Sequence, residues 1–584
     1  MFEVLLQHGN GWLRFPEPVE VLTARTPEEV FRCLERIETS GLWAAGFISY
    51  EAAGAFDSAL KTHAPGSLPL LQFGLFENVE QTFLSAQMHR QECLRHYQLG
   101  EWKPSVTRGE YSEAIAKIKE RIAAGDTYQV NYTFRLNADF SGSPFDFFCD
   151  LAAAQQGRYA AFIETPEFAV CSASPELFFE LKDGVITSRP MKGTLPRGLT
   201  AEADRAAAEA LKNSAKDCAE NIMIVDMIRN DIGRIAEAGS VETVSRFDVE
   251  KYPTVWQLTS TVQGKVCGAG FQSAHEQAGM PAPQIFKALF PCASITGAPK
   301  AKTMEIIRGL EKTPRGIYTG AIGFIAPDGA AQFSVAIRTA VIQAGRAEYG
   351  TGGGIVWDSD ADSEYDEALS KARILTRRFP EFQLLETMLW EDGEIFLLER
   401  HLKRLAGSAE YFGFNLDESK VRDRLRDLKS DEPMRVRLLL DKDGRFEVQA
   451  FKMKRGRDAA STLAIAREPV DSGDVFLYHK TTNRAVYERA RADFPEADDV
   501  LLYNERGEIT ESCIANVVVE LDGRKVTPPV SCGLLAGTFR NELLERGEIE
   551  EQVVSVEELR RADAIWLINS VRKWRKVSLN CSAS

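Results

Sequence analysis

The chain is poor in the residues that build the commoner metal and redox sites. It has seven histidines and ten cysteines in 584 residues, with no HExxH, no paired CxxC and no Cys/His cluster, which argues against zinc. Ten scattered cysteines do not describe a disulfide framework either and fit a chain kept reduced. There is no excess of base. Seventy Lys and Arg against eighty-five Asp and Glu leave a net charge of −15, the wrong balance for a surface that releases counterions from a polynucleotide. A local basic pocket for a small anion stays compatible with it. The longest apolar runs, such as Ala44 to Tyr50, fall far short of the roughly 20 residues that cross a bilayer. The opening MFEVLLQHGNGWLRF lacks the basic start, apolar stretch and small-residue cleavage site of a secretory signal. The expectation is a cytoplasmic protein that binds neither nucleic acid nor membrane.

What is present is ordinary globular composition, 44% apolar and 27% charged, in a chain too long for one hydrophobic core. Gly109 to Gly125 places Tyr111, Ile115, Ile118 and Ile122 at helical spacing, and Thr26 to Thr39 reads as another helix. Strands are expected at Tyr132 to Ala138, Tyr159 to Glu164 and Leu177 to Leu181, an α+β mixture. A helix from Ser363 to Arg378 should stop before Phe379-Pro380, and a fresh strand pattern begins at Phe382 with a turn at Glu391-Asp392-Gly393. A boundary there divides the chain into 1–378, whose first hundred residues or so form a subregion, and 383–584.

Four segments before that boundary carry unusual chemistry. Ser174-Pro175-Glu176 sets a carboxylate just ahead of a strand. Arg189-Pro190-Met191-Lys192-Gly193-Thr194 sets a lysine in a tight glycine-bearing turn. Lys216 to Asp231, if helical, aligns Glu220, Ile224, Met227 and Asp231. Thr351-Gly352-Gly353-Gly354 reads as a loop, followed by Glu364 and Glu367 on one helical face. Taken singly, each has a plainer reading: a flexible turn, a surface lysine, or a solvated Glu364/Glu367/Lys371 face.

As a set, together with Phe290 to Lys300 and Ile337-Arg338-Thr339, they resemble the chorismate-utilising enzymes across Ser172 to Arg378. The resemblance implies Mg²⁺ held by Glu220 and Glu367 with Glu364 nearby, and substrate bound by Thr296, Arg338, Lys371 and the Gly352, Gly353 and Gly354 backbone. Hard-cation chemistry at carboxylates agrees with this. Lysine at 192 is the mark of aminodeoxychorismate synthases, where anthranilate synthases carry alanine. It implies Lys192 as a nucleophile on the ring and Glu176 as the general acid/base. Gln257, where many relatives have histidine, and Cys292-Ala293 in place of Gly-Gly depart from the pattern. The chain carries no apparent glutaminase nucleophile, so the resemblance implies ammonia from a separate glutamine amidotransferase subunit.

After Phe382, the ordered segments Glu399 to Leu405, His479 to Arg484, Glu508 to Asn516 and Gly533 to Arg540 resemble the branched-chain aminotransferase-like class of pyridoxal-phosphate enzymes, and more closely 4-amino-4-deoxychorismate lyase. Pyridoxal 5′-phosphate needs a lysine to bond, a carboxylate at its ring nitrogen and donors for its phosphate. The resemblance assigns these to Lys480, to Glu511, and to Arg404, Gly537, Thr538 and Ser570. It gives Thr387 the protonation of the departing pyruvate carbon and Asn569 a place against substrate. This half starts abruptly for its class, so either the first domain supplies missing packing or the half is degenerate. Lyase relatives commonly pair, which implies a homodimer through this half.

The expected fold is therefore α+β: a large two-sheet α/β sandwich that binds chorismate, then a smaller fold-type IV α+β domain. The expected function is amination of chorismate followed by elimination of pyruvate to give 4-aminobenzoate for folate. An anthranilate synthase component is the rival reading for the first half; an aminotransferase or a non-catalytic scaffold is the rival for the second.

Overall fold

The computed structural model describes residues 2–82, 96–266, 281–376, 380–453 and 461–579. They form two compact units, Met1–Pro196 with Ala208–Phe379, and Arg197–Ala207 with Pro380–Ser584.

The first unit is built on two large sheets, one of eleven and one of ten strands among the described residues. Strand alternation explains how they stack. On Glu3–His8, Val4 and Leu6 join a core shared with Ala45, Phe47, Ile163, Val170, Ile322 and Phe324, which come from both sheets. Leu5 points the other way, into a core with Tyr111, Ile115, Phe148 and Tyr365 from helices on the outer face. The opposite outer face is covered by Val30, Leu34, Ile224 and Ile228. Strands buried on both faces need helices on each side, and the result is the expected sandwich. Each fully buried phenylalanine in these layers, Phe47 and Phe73 among them, contributes about 1.5–3 kcal/mol over its exposed form.

Local signals fix the helix starts. Thr26/Glu29 and Thr107/Glu110 form capping boxes for Pro27–Ser40 and Arg108–Ala123. Two expectations shift. The helix expected from Ser363 runs Ala361–Ala372, followed by a 3₁₀ turn at Arg373–Leu375; its expected end at Arg378 lies outside the described residues. The strand expected at Tyr132 is part of the longer Gln129–Gly142.

The second unit has a four-stranded antiparallel sheet centred on Leu384–Glu391 and Met434–Leu440. Asp392 and Gly393, both at positive φ (52° and 89°), make the tight turn expected there. The helix Leu398–Phe412 lays Leu402, Leu405 and Ala409 on Leu384, Met388 and Val436. A mixed eight-stranded sheet carries the other core, with Leu463, Leu501, Val517 and Leu567. The segment Arg197–Ala207 is held in this unit by a buried clip. Arg197 donates twice to Asp204, at 2.5 and 2.6 Å, and its guanidinium lies 4.2 Å from the Tyr411 ring centroid.

No helix among the described residues is long and apolar enough to cross a membrane.

Candidate active sites

In the first unit the predicted residues gather around the paired strands Gln129–Gly142 and Arg346–Ile355. The glycine triplet is not a loop: Gly352, Gly353 and Gly354 are strand residues opposite Thr133, Tyr132 and Asn131. Their lack of side chains makes room for neighbours. A Cβ on Gly352 would stand 2.2 Å from the Tyr132 carbonyl oxygen, and one on Gly354 would stand 2.6 Å from Lys192 Nζ. The strand behind is pinned by a buried pair, since Arg315 donates to Glu311 and to the Asn131 carbonyl, both at 2.6 Å.

Lys192 also departs from its expected setting. It lies on the strand Met191–Pro196, where the register against Val255–Lys265 slips between Met191 and Thr194. Gly193 sits there at φ +97°, which is bulge geometry that re-aims a side chain. Lys192 Nζ reaches Glu220 at 3.1 Å, with less than a fifth of either side chain exposed. Glu220 comes from the helix Ala215–Gly233, as the sequence spacing anticipates.

Glu176 is 3% exposed, and one of its carboxylate oxygens has no hydrogen-bond partner among the described residues. Burial pushes its pKa up to about 7, against the opposing pull of Ser294, the Met191 backbone and Lys192. A carboxyl in this state can hold and release a proton near neutrality.

Lys371 pairs with Glu367 at 2.8 Å and donates to the Gly352 carbonyl at 3.0 Å. Arg338, at φ +53°, donates to the Lys371 carbonyl. Thr296 flanks the strands through its carbonyl, which accepts from Asn131 N–H at 2.8 Å. Its hydroxyl is turned to Cys292 and Ala293 of its own loop.

The carboxylates expected to hold magnesium do not form a ready cage. Among the described residues no group of three or more His, Cys, Asp or Glu is gathered for a metal. Glu220 and Glu367 face lysines, while Glu364 accepts from Ser359 at 2.7 Å. Burial raises the Glu364 pKa and the neighbouring Glu367 adds to the effect; Lys371 draws that of Glu367 down. The donors are all oxygen and suit a hard cation, which would have to displace ammonium partners to bind.

In the second unit all eight predicted residues, Thr387, Arg404, Lys480, Glu511, Gly537, Thr538, Asn569 and Ser570, line one cavity of about 1080 Å³. Lys480 is fixed by the backbone, its carbonyl accepting from Leu385 N–H at 2.9 Å. Close packing lowers its pKa to about 8, and Arg404 and Arg484 add to the shift.

Glu511 accepts from Tyr487 Oη at 2.8 Å and Asn516 Nδ2 at 3.2 Å. Burial lifts it to about 7, against the opposing pull of Tyr487, the Leu535 backbone and Lys480.

Gly537 begins the helix Thr538–Glu545 without a side-chain cap, and a Cβ there would strike Asn516 Oδ1 at 1.9 Å. Backbone N–H groups at a helix start suit an anion, and Arg404 donates to the neighbouring Ala536 carbonyl at 3.3 Å. Ser570 Oγ donates to the Thr387 carbonyl at 3.4 Å and Asn569 Nδ2 to the Ile514 carbonyl at 3.4 Å.

Sequence reasoning missed the residues that orient these groups. Arg404 is clamped by Glu386 at 2.8 and 2.7 Å, and Glu386 also binds His401 at 2.7 Å. Burial alone would raise Glu386, but the Arg404 guanidinium outweighs it, with the His401 contact adding to the pull, and it is held at about 2. His401 follows Arg400 in a motif the sequence displays, at the i−3 position to Arg404, and that spacing was the available signal. Tyr487 carried none.

A family model described as chorismate binding enzyme matches residues 14–377, and one described as amino-transferase class IV matches residues 383–579. Aminodeoxychorismate synthase component 1 of Salmonella typhimurium is 42% identical over 275 residues, covering 47% of this chain and 58% of that protein. Anthranilate synthase component 1 of Pseudomonas putida is 38% identical over 277 residues, covering 47% and 54%. The chain thus spans little more than half the length of these relatives. The crystal structure of anthranilate synthase component I from Streptococcus pneumoniae superposes with a TM-score of 0.54 at 26% identity, covering 64% of this chain and 92% of that one. The chain belongs to the chorismate-binding enzymes, and its residues 383–579 match the model described as amino-transferase class IV.

Proposed function

We propose that the chain converts chorismate to 4-aminobenzoate in two steps at two separate sites, the first an amination and the second an elimination of pyruvate. The observation that carries the reading is a lysine set among charged partners in each site: Lys192 against Glu220 and Lys480 in one cavity with Arg404 and Glu511.

In the first step the Lys192 amine attacks the chorismate ring and the C4–O bond breaks. Glu176 delivers a proton to the departing hydroxyl. Ammonia then adds at C4, and the bond to Lys192 breaks as both ring double bonds return to their first positions. Arg338 and Lys371 orient the acidic groups of the substrate. Glu220, Glu364 and Glu367 would hold Mg²⁺, which would neutralise the ring carboxylate. The designation of relatives as component 1 supports a separate glutamine amidotransferase as the ammonia source.

In the second step pyridoxal phosphate, when bound, supplies an electron sink. Lys480 anchors it and then takes the C4 proton of the substrate. Glu511 keeps a proton at the ring nitrogen. Arg404, Gly537, Thr538 and Ser570 hold the phosphate, Asn569 faces the substrate and Thr387 protonates the carbon of the departing pyruvate.

Incubation with chorismate, ammonium, Mg²⁺ and pyridoxal phosphate is expected to yield 4-aminobenzoate and pyruvate, identified by mass. Fluorescent anthranilate would overturn the first half. Amino transfer between ordinary amino acids without pyruvate release would overturn the second.

Glu176 adds a pH signature. Its acid form is the one required, and with a pKa of about 7 that form is lost as pH rises. Because Lys192 must lose a proton before it attacks, the amination profile at fixed free ammonia should bend near pH 7 into a flatter limb, where loss of the Glu176 acid offsets the gain of free amine. Glu176→Gln should abolish that limb and lower the rate by about 10²–10⁴. An unchanged limb in the variant would remove Glu176 from the role.

A further inference from the structure

The second cavity holds more positive charge than one phosphate accounts for. Arg435 and Arg437 stand two residues apart on the strand Met434–Leu440 and therefore on one face, and both line the cavity with Arg484 and Arg572. Glu511 is the acidic residue on that wall. In sheet register Arg437 lies directly across from Thr387 on one side and Gln449 on the other. Arg435 spreads its guanidinium over the Phe451 ring at 5.0 Å.

Arg437 is half-buried, and its Nε is sealed from solvent with no hydrogen-bond partner. No carboxylate among the described residues pairs with Arg435 or Arg437. Two other guanidiniums packed into this unit are matched, Arg404 by Glu386 and Arg540 by Glu551. A buried donor without an acceptor is costly to keep, and a planar guanidinium suits a carboxylate above other anions of that size.

We infer that Arg437 binds the enolpyruvyl carboxylate of the substrate and that Arg435 adds the field that makes this site selective for an amine carrying two carboxylates. The inference rests on the lyase reading and deepens it. Directly paired residues of an antiparallel sheet hold their Cβ atoms about 4.5–5.5 Å apart, so Arg437 and Thr387 rise from the same rung of the sheet and open on the same cavity. The residue that receives the leaving group then sits beside the one proposed to protonate it. An apolar amino acid offers the two arginines nothing and leaves the sealed Arg437 Nε without an acceptor, which disfavours ordinary transamination substrates.

The test is steady-state cleavage of 4-amino-4-deoxychorismate by the full-length holoenzyme, with Arg437→Met and Arg437→Lys alongside wild type and cofactor loading checked by visible absorbance. The expected result is a KM raised about 10- to 100-fold in Arg437→Met, partly restored in Arg437→Lys, with the absorbance unchanged. Should Arg437→Met fold poorly, Arg437→Lys still decides, because a point charge cannot reproduce the planar contact and its KM must rise. Unchanged KM in a loaded variant overturns the assignment of Arg437 and leaves the lyase reading standing. A wild-type protein that releases no pyruvate but exchanges amino groups between apolar amino acids overturns the lyase reading and the inference with it.

Discussion

Lys192→Ala is expected to slow chorismate amination by about a thousandfold or more, the scale on which a positioned catalytic group acts, while cleavage of added 4-amino-4-deoxychorismate continues at its normal rate. The change removes the amine that Gly354 makes room for and the partner of Glu220. Because it also leaves a carboxylate unpaired, alanine alone would confuse loss of a nucleophile with loss of an ion pair. Lys192→Arg separates them. It retains the positive charge beside Glu220 but cannot lose a proton and attack, so it should be as inactive as alanine while keeping the same thermal midpoint as wild type. Amination by Lys192→Arg at a tenth of the wild-type rate or better would show that only charge is needed, and the nucleophile role would fall.

Lys480→Ala should produce the mirror result. Bound cofactor loses its covalent anchor, the visible absorbance of the holoenzyme disappears, and pyruvate release drops by on the order of a thousandfold or more. Amination of chorismate should be untouched, and the intermediate should accumulate in place of 4-aminobenzoate. The lowered Lys480 pKa, about 8, favours this residue as the bonding amine, since more of it is unprotonated near neutrality than for an ordinary lysine. Should either single change in a folded protein stop both half-reactions, two independent sites would not describe this chain.

The charged members of both sites were legible because charge and motif order survive in one dimension. Lys192, Glu220, Lys480 and Glu511 could all be named from their segments. Their settings were less accessible. Three consecutive glycines signal a turn by local propensity, yet here they answer to a carbonyl of Tyr132 and an ammonium of Lys192, contributed by residues far away in sequence. Lys192 reads as a turn residue because Gly193 follows it, whereas the pairing with Val255–Lys265 turns that glycine into a bulge. Glu386 has no local mark at all; its burial depends on a helix that begins at Leu398. Arg435 and Arg437 alternate along an ordinary strand, and only the sheet register sets Arg437 opposite Thr387. The two-sheet architecture was easier to anticipate, because its helices and strands follow apolar periodicity and capping residues that are written locally.

The clip at Arg197 and Asp204 has a consequence for the gene as well as for the fold. A protein of two catalytic parts joined head to tail could be divided by one break, each part surviving on its own. Here a fragment beginning at Pro380 would leave behind Arg197–Ala207, and Tyr411 would face water where a guanidinium now covers its ring. The complementary fragment would carry that orphaned stretch, with its buried Arg–Asp pair, away from the ring that Arg197 now covers. The later half borrows part of its substance from within the earlier one, and a mutation that separated them would damage both inheritors.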